Sequence, residues 1–173
     1  AALLMLGGMS LFDALCHTFG TMATGGFSTK NSSIGHFSST YIDVVVTVFM
    51  FIAGTNFALH FRLLQGRPGA FWRDSEFRFY LVVIVLVAGL ITLSVWGDAY
   101  QSLGQSLRFS VFQTVSIVTT TGYGTGDYEL WGPLAQMLLL LCMLLGGSAG
   151  STSGGIKCMR VILLAKQAGR ELM

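Results

Sequence analysis

The sequence predicts an all-α polytopic membrane protein made of repeated units, each a span, a short re-entrant helix, a glycine turn and a second span. Three observations point there. Charged residues make up 10% of the 173, against about 25% in soluble domains, while 53% are hydrophobic and the mean hydropathy is +0.67. Long uncharged segments alternate with shorter apolar ones rich in hydroxyl side chains. The same order of parts returns after a shift of 96 residues, which lays Thr24-Gly25-Gly26-Phe27 over Thr120-Thr121-Gly122-Tyr123, Thr18 over Thr114 and Ala53-Gly54 over Ala149-Gly150.

The first copy occupies 1–66. AALLMLGG reads as the remnant of a leading span with no charged, cleavable leader before it, and the chain is expected to be a piece of a longer protein. Leu11 to Ala23 is too short and too hydroxyl-rich to span, so a re-entrant pore helix is expected over about 10–22, with Asp13 near its start, where the helix dipole favours a carboxylate. A turn at 23–28 follows. A second span over about 40–65 is uncharged from Val44 to Leu59, between Tyr41 and Asp43 at one edge and His60 and Arg62 at the other. Within it Asn56 is expected to hydrogen-bond a neighbouring helix or to line a pore, and His60 to anchor the inner interface. Residues 67–78 form a cytoplasmic linker.

The second copy occupies 79–173. Its first span, 79–97, contains eighteen uncharged residues from Phe79 to Trp96, long enough at 1.5 Å each to cross most of a hydrocarbon core of about 30 Å. A second pore helix is expected over about 104–118, with a turn at 119–124. The last span, 133–170, opens on Pro133, which suits a first helical turn, and is interrupted at 146–155. Charge placement supports re-entry: with both short segments re-entrant, only Lys30 and Arg108 fall opposite the other eight basic residues, whereas a crossing by Phe109 to Val118 would split them four against six.

Composition also excludes several functions. A net charge of +2 without any Lys/Arg-rich run gives no footprint for nucleic acid. Cys16, Cys142 and Cys158 are odd in number and lack metal or redox spacing, so they read as membrane-buried thiols. His17, His36 and His60 fall on separate elements without paired carboxylates. No Ser/His/Asp or Cys/His constellation and no phosphate-cradling GxxxxGK[ST] occurs, so no enzyme and no covalent cofactor are expected. Asp127 and Glu129 serve either to concentrate cations at an outer mouth or as ordinary solvated loop charge.

The chemistry lies in the glycine turns. Unpaired carbonyls at membrane depth are costly unless they line water or hold an ion, and rings of carbonyls replace a cation's hydration shell without a fixed charge to trap it. Glycine permits the positive or extended backbone angles that aim such carbonyls inward. Gly26 and Gly122 are therefore candidate filter glycines, with Ala23, Thr24 and Gly25 in one turn and Thr119, Thr120 and Thr121 in the other adding oxygens. Phe27 and Tyr123 are expected to pack behind the turns. A dehydrated cation is expected at Thr24, Gly25, Thr120 and Thr121. Helix C-caps followed by ordinary turns remain the plainer alternative.

The segments HTFGTMATGGFSTKNSSIGHF, FIAGTNFALHF, SIVTTTGYGTGD and GGSAGSTSGGIK, in that order over nearly the whole chain, resemble the second and third repeats of Trk-type potassium-uptake subunits, the TrkH/TrkG and KtrB group of the Trk/Ktr/HKT superfamily. The resemblance implies four pseudo-repeats around one pore with a filter glycine from each, of which two repeats are present here, and K⁺ as the cation held at Thr24, Gly25, Thr120 and Thr121. It implies further that Gly146, Gly147, Ser148, Ala149, Gly150, Ser151, Thr152, Ser153, Gly154 and Gly155 form an intramembrane gate beneath the filter. Independently, five glycines at about 1 kcal/mol each oppose a continuous helix there. Against that, Gly146, Gly150 and Gly154 are spaced like the small-residue stripe of packed membrane helices. Lys157 follows, placed to snorkel or to meet a regulator.

Potassium uptake across a bacterial inner membrane is the expected function, with K⁺ and membrane lipid as partners, a homodimer of full-length subunits, and a cytoplasmic nucleotide-binding regulatory ring. The last two are implied by the resemblance alone. The alternatives are a secondary solute transporter with broken helices and a non-transporting packing or assembly module.

Overall fold

A computed structural model of the chain describes residues 1–171. The described residues are mainly helical: α1 (Ala2–Leu6), α2 (Leu11–Met22), α3 (Thr40–Ala53), α4 (Phe57–Leu64), α5 (Gly69–Arg73), α6 (Ser75–Val95), α7 (Leu103–Val118), α8 (Pro133–Leu144) and α9 (Cys158–Glu171). Single 3₁₀ turns fill Ser33–Phe37 and Tyr128–Leu130. Two dipeptide strands, β1 (Leu145–Gly146) and β2 (Ile156–Lys157), pair in parallel and close the base of the 146–155 excursion.

Local chemistry sets the helix starts. Ser10 and Ser39 cap α2 and α3 by accepting from the backbone N–H of Asp13 and Ile42, and Asp74 caps α6 by accepting from Phe77 N–H at 2.7 Å. That cap starts α6 at Ser75, four residues before the expected span and inside the expected linker, which also holds α5. α6 ends at Val95, where Trp96 turns extended.

The core lies where α3, α6 and α7 meet. Ile42, Val46 and Met50 pack with Tyr80, Ile84 and Ile91 and with Phe112, Val115 and Val118. α7 is the central element although it is rich in hydroxyls: Ser106, Ser110, Thr114 and Ser116 are fully buried beside its apolar residues. By contrast α6 turns Val82, Val85, Leu86 and Leu93 outward, and α8 does the same with Met137, Leu140, Leu141 and Leu144. A helix with a polar flank inside and neighbours with apolar flanks outside is the arrangement a hydrocarbon surround favours.

The 40–65 segment differs from the single span expected of it. α3 and α4 meet at 98°, broken at Gly54-Thr55-Asn56. Gly54 sits so close to the core that a Cβ there would lie 2.6 Å from the Tyr80 hydroxyl and 2.7 Å from Thr119 Cγ2. Asn56 then starts a new helix by accepting from Ala58 N–H at 2.9 Å. Its side-chain oxygen serves as an N-cap within its own segment, where an interhelical hydrogen bond is one of the two roles expected. His60 faces back across the break, with Nε2 3.0 Å from the Ile52 carbonyl oxygen. Among the described residues, α6 alone is long and apolar enough to cross a membrane as one straight helix.

Candidate functional site

α2 and α7 end alike, and their ends meet. At the first end, Ala23, Thr24 and Gly25 N–H donate to the carbonyls of Phe19, Thr21 and Gly20, and Gly26 N–H also reaches Gly20. At the second, Thr119, Thr120 and Thr121 N–H donate to Val115, Ile117 and Ser116, and Gly122 N–H again to Ser116. Each of these four bonds maps onto its partner at the 96-residue shift. The backbone angles map as well: Thr24 and Thr120 have φ +51° and +55°, Gly26 and Gly122 +66° and +86°. A left-handed threonine is strained by its Cβ, so two of them in matching frames mark positions held by their surroundings.

Tyr123 locks the turns together. It is fully buried, its own carbonyl accepts from Ser116 Oγ at 2.7 Å, and its hydroxyl donates to the carbonyls of Phe27 at 3.3 Å and His17 at 3.4 Å. Gly20 takes the position of Ser116 in the first copy, and a Cβ there would stand 2.4 Å from the Tyr123 hydroxyl oxygen. The second turn thus supplies the tether that the first turn lacks. Substituting phenylalanine for Tyr123 removes both hydroxyl bonds, and the thermal midpoint of the purified full-length protein is expected to fall by the equivalent of about 0.5–1.5 kcal/mol. An unchanged midpoint would show that the tether carries no stability.

Phe27 does not pack behind its turn as expected: it is 85% exposed, leaving Tyr123 as the only one of the two buried there. Thr119 and Thr121 are buried and their hydroxyls pair with each other at 2.7 Å, so only their carbonyls are free to face outward. Ala23, Gly25 and Gly122 are exposed. The turns accordingly present neutral oxygens without a charged side chain, a set suited to a weakly held monovalent cation.

The outer segments brace this pair. Gly35 N–H donates to the Gly124 carbonyl at 3.1 Å and Gly124 N–H to Ser33 Oγ at 3.2 Å. At the start of α2, Asp13 accepts from the hydroxyls of Thr29 (2.6 Å) and Ser10 (2.9 Å) and pairs with Lys30 at 3.5 Å. Thr29 first, then Ser10 and the Lys30 ammonium, hold its carboxyl below the usual carboxylate range. Arg108 pairs with Asp43 at 3.5 Å and lies over the Phe109 ring. The two ion pairs among the described residues therefore engage the two cations assigned to the outer side.

The 146–155 segment is non-helical, as its glycines require, and lies against both turns. Thr24 Oγ1 donates to the Thr152 carbonyl at 2.9 Å, and Gly154 N–H donates to Thr120 Oγ1 at 2.6 Å. It also fills the α3–α4 break. Ser148 N–H reaches the Gly54 carbonyl at 2.9 Å, Thr152 reaches the Ala53 carbonyl through its N–H and its hydroxyl, and Phe57 N–H reaches the Gly150 carbonyl at 3.1 Å. A small-residue stripe needs a helix to present it, and there is none here. Lys157 turns back to donate to the Ser153 carbonyl instead of extending toward solvent.

Three residues outside the expected site matter to it. Gly20 and Gly54 act by having no side chain, and the 96-residue shift that sets them opposite Ser116 and Gly150 was the available signal. Glu76, buried at 1% exposure, accepts from Ala149 N–H and Met159 N–H. In the sequence it is an ordinary acidic residue in a basic linker, and nothing there foretells its burial.

Comparison with known proteins places this geometry. The model of the cation transport protein family TrkH matches residues 4–172. The chain is 42% identical over 174 residues to the Trk system potassium uptake protein TrkH of Escherichia coli strain K12, covering 99% of this chain and 36% of that protein. It is 36% identical to TrkG of the same strain, over 96% of this chain and 35% of that protein. The crystal structure of the potassium transporter TrkH from Vibrio parahaemolyticus superposes with a TM-score of 0.94 at 39% identity, over 99% of this chain and 37% of that one. The chain thus spans about a third of the length of these relatives. With a matched pair of Thr/Gly turns over a shared glycine loop, and with that family model covering nearly every residue, the chain belongs to the TrkH cation transport protein family.

Proposed function

We propose that this chain is the segment of a potassium-uptake subunit that supplies two of four filter turns and the gate beneath them. The observation that carries this is the pair of left-handed Thr/Gly turns, matched in their backbone hydrogen bonds, whose threonine hydroxyls both bind the 146–155 loop. Neutral carbonyl oxygens, with Gly26 and Gly122 at the tightest bends, exchange for the hydration shell of K⁺. The relatives carry potassium uptake in their names, which supports K⁺ as the cation.

Within this reading K⁺ enters from the outer side, is coordinated by the carbonyls around Thr24-Gly25 and Thr120-Thr121, and passes inward when the loop leaves its place. The membrane potential drives it, at about 2.3 kcal/mol per charge per 100 mV. The two further turns come from repeats outside this segment. Working as a dimer in the bacterial inner membrane under a cytoplasmic regulatory ring belongs to the same proposal. Arg62, Arg67 and Arg73, which line one cavity beside α5, offer the ring a basic surface.

Gly122→Ser in the full-length protein tests the filter. No atom lies within 4 Å of a Cβ built at Gly122, so the substitution acts through its φ of +86° and not through a clash. Strain of about 1–2 kcal/mol at that residue is expected to lower the K⁺ over Na⁺ preference roughly tenfold. Unchanged selectivity in proteoliposome ion flux would remove Gly122 from the filter.

A further inference from the structure

We infer that Glu76 is the latch of the 146–155 loop, a positioning residue that holds the loop under the two turns through one carboxylate oxygen. The inference rests on the gate reading above. Glu76 stands in the first turn of α6, and its Oε1 accepts from Ala149 N–H at 2.7 Å and from Met159 N–H at 2.9 Å. The first donor is in the middle of the loop; the second is in the first turn of α9, the helix that resumes after it. A single oxygen therefore clasps the loop interior to the start of the helix that carries the chain away.

The two bonds differ in what they do. Met159 N–H is one of the unpaired donors at the start of α9, where the helix dipole favours a carboxylate, so this bond anchors the side chain. The Ala149 bond is the one that parts when the loop moves. Among the described residues the other polar anchors of the loop to distant elements are neutral, namely the Gly54 and Ala53 carbonyls, Phe57 N–H, and the Thr24 and Thr120 hydroxyls; the Lys157 ammonium, which donates to the Ser153 carbonyl, belongs to the strand at the loop's own base. Bonds to a carboxylate are roughly twice as strong as neutral ones, which makes Glu76 the strongest single hold on the loop from outside its own base. Neither ion pair among the described residues includes Glu76, so these two N–H groups are the partners that offset its burial here.

The position suits regulation. Glu76 follows directly on α5 and the Arg62, Arg67 and Arg73 cavity. A partner that draws this basic segment away shifts the start of α6 and with it the oxygen that holds Ala149.

The test uses the full-length protein in proteoliposomes, with Cys16→Ala to silence the half-buried thiol and Ser151→Cys as a reporter in the loop. The rate of thiosulfonate modification at position 151 reads loop release, and Rb⁺ flux reads conduction. Glu76→Ala is expected to raise the modification rate on the order of tenfold, the worth of one charge-assisted bond, and Glu76→Gln, which keeps the acceptor oxygen but not the charge, to fall between it and the parent. Where Glu76→Ala does not insert, Glu76→Gln decides by the same comparison. A modification rate equal to the parent's in a properly inserted variant overturns the latch. Faster modification with unchanged flux supports the latch and removes the gate reading. Unchanged modification in the Glu76 variants, alongside raised flux on deleting the loop, removes the latch and leaves the gate.

Discussion

Replacing Gly26 by alanine in the full-length protein is expected to cut K⁺-selective uptake at least about 100-fold, a larger loss than Gly122→Ser causes. A Cβ built at Gly26 falls 1.8 Å from the Thr121 carbonyl oxygen and 2.8 Å from its carbonyl carbon, where comfortable contacts between heavy atoms are about 3.5 Å. The obstacle is backbone, so no side-chain rotation relieves it. The φ of +66° adds its own strain of about 1–2 kcal/mol for any residue bearing a Cβ. Overpacking of this kind costs a further ~1–3 kcal/mol and is relieved only by separating the turns, which displaces the carbonyls of both. Loss of ~3 kcal/mol corresponds to at least about 100-fold in uptake. Rb⁺ uptake in a strain lacking other potassium systems measures this, with thermal melting of the purified protein alongside. Gly122→Ser, which meets strain without collision, should melt higher than Gly26→Ala. Equal losses from the two would overturn the steric account.

Removal of residues 147–154 is the second large expected effect, in the opposite direction. The ends of the excursion are already together: a Cβ at Gly155 would lie 3.2 Å from Gly146 Cα, and β1 pairs with β2 directly below. The deletion therefore joins neighbours and leaves α8 and α9 where they are. What disappears is the segment bonded to the Thr24 and Thr120 hydroxyls, together with the partners of Ala53, Gly54 and Phe57 at the α3–α4 break and of Glu76. Flux through the reconstituted full-length protein is expected to rise about tenfold, equivalent to ~1.4 kcal/mol of barrier. A correctly inserted deletion with flux at or below the parent's counts against a gate. Selectivity should survive, because the turn carbonyls are held from behind by Ser116 and Tyr123 and not by the loop.

These expectations show which parts of the site were legible in the sequence. The turns were, because glycine and threonine in two matching frames report a backbone requirement that side-chain packing does not obscure. The loop was, because five glycines weigh against helix regardless of their surroundings. The bend between α3 and α4 was not: Val44 to Leu59 has the composition of one span, and the break depends on how closely Gly54 approaches Tyr80 and Thr119, a tertiary fact. Its only trace was that Gly54 falls opposite Gly150 in the repeat. Phe27 and Tyr123 looked alike in the alignment of the copies, yet one is exposed and the other buried, because Gly20 leaves room for a tyrosine hydroxyl on one side only. Glu76 was illegible for the same kind of reason. Its two partners are backbone groups 73 and 83 positions away, and backbone donors leave no mark on the sequence.

The mutual filling of the two helix breaks bears on how the chain is made. The carbonyls of Ala53 and Gly54 and the N–H of Phe57 are satisfied by Thr152, Ser148 and Gly150, which a ribosome reaches 93 to 99 residues later. Until then the first half sits in the bilayer with an open corner whose polar groups need water or a chaperone, since hydrocarbon offers them nothing. The corner between α3 and α4 thus becomes stable only after α8 has been inserted. The α3–α4 corner and the 146–155 loop therefore complete one another's hydrogen bonding and settle together.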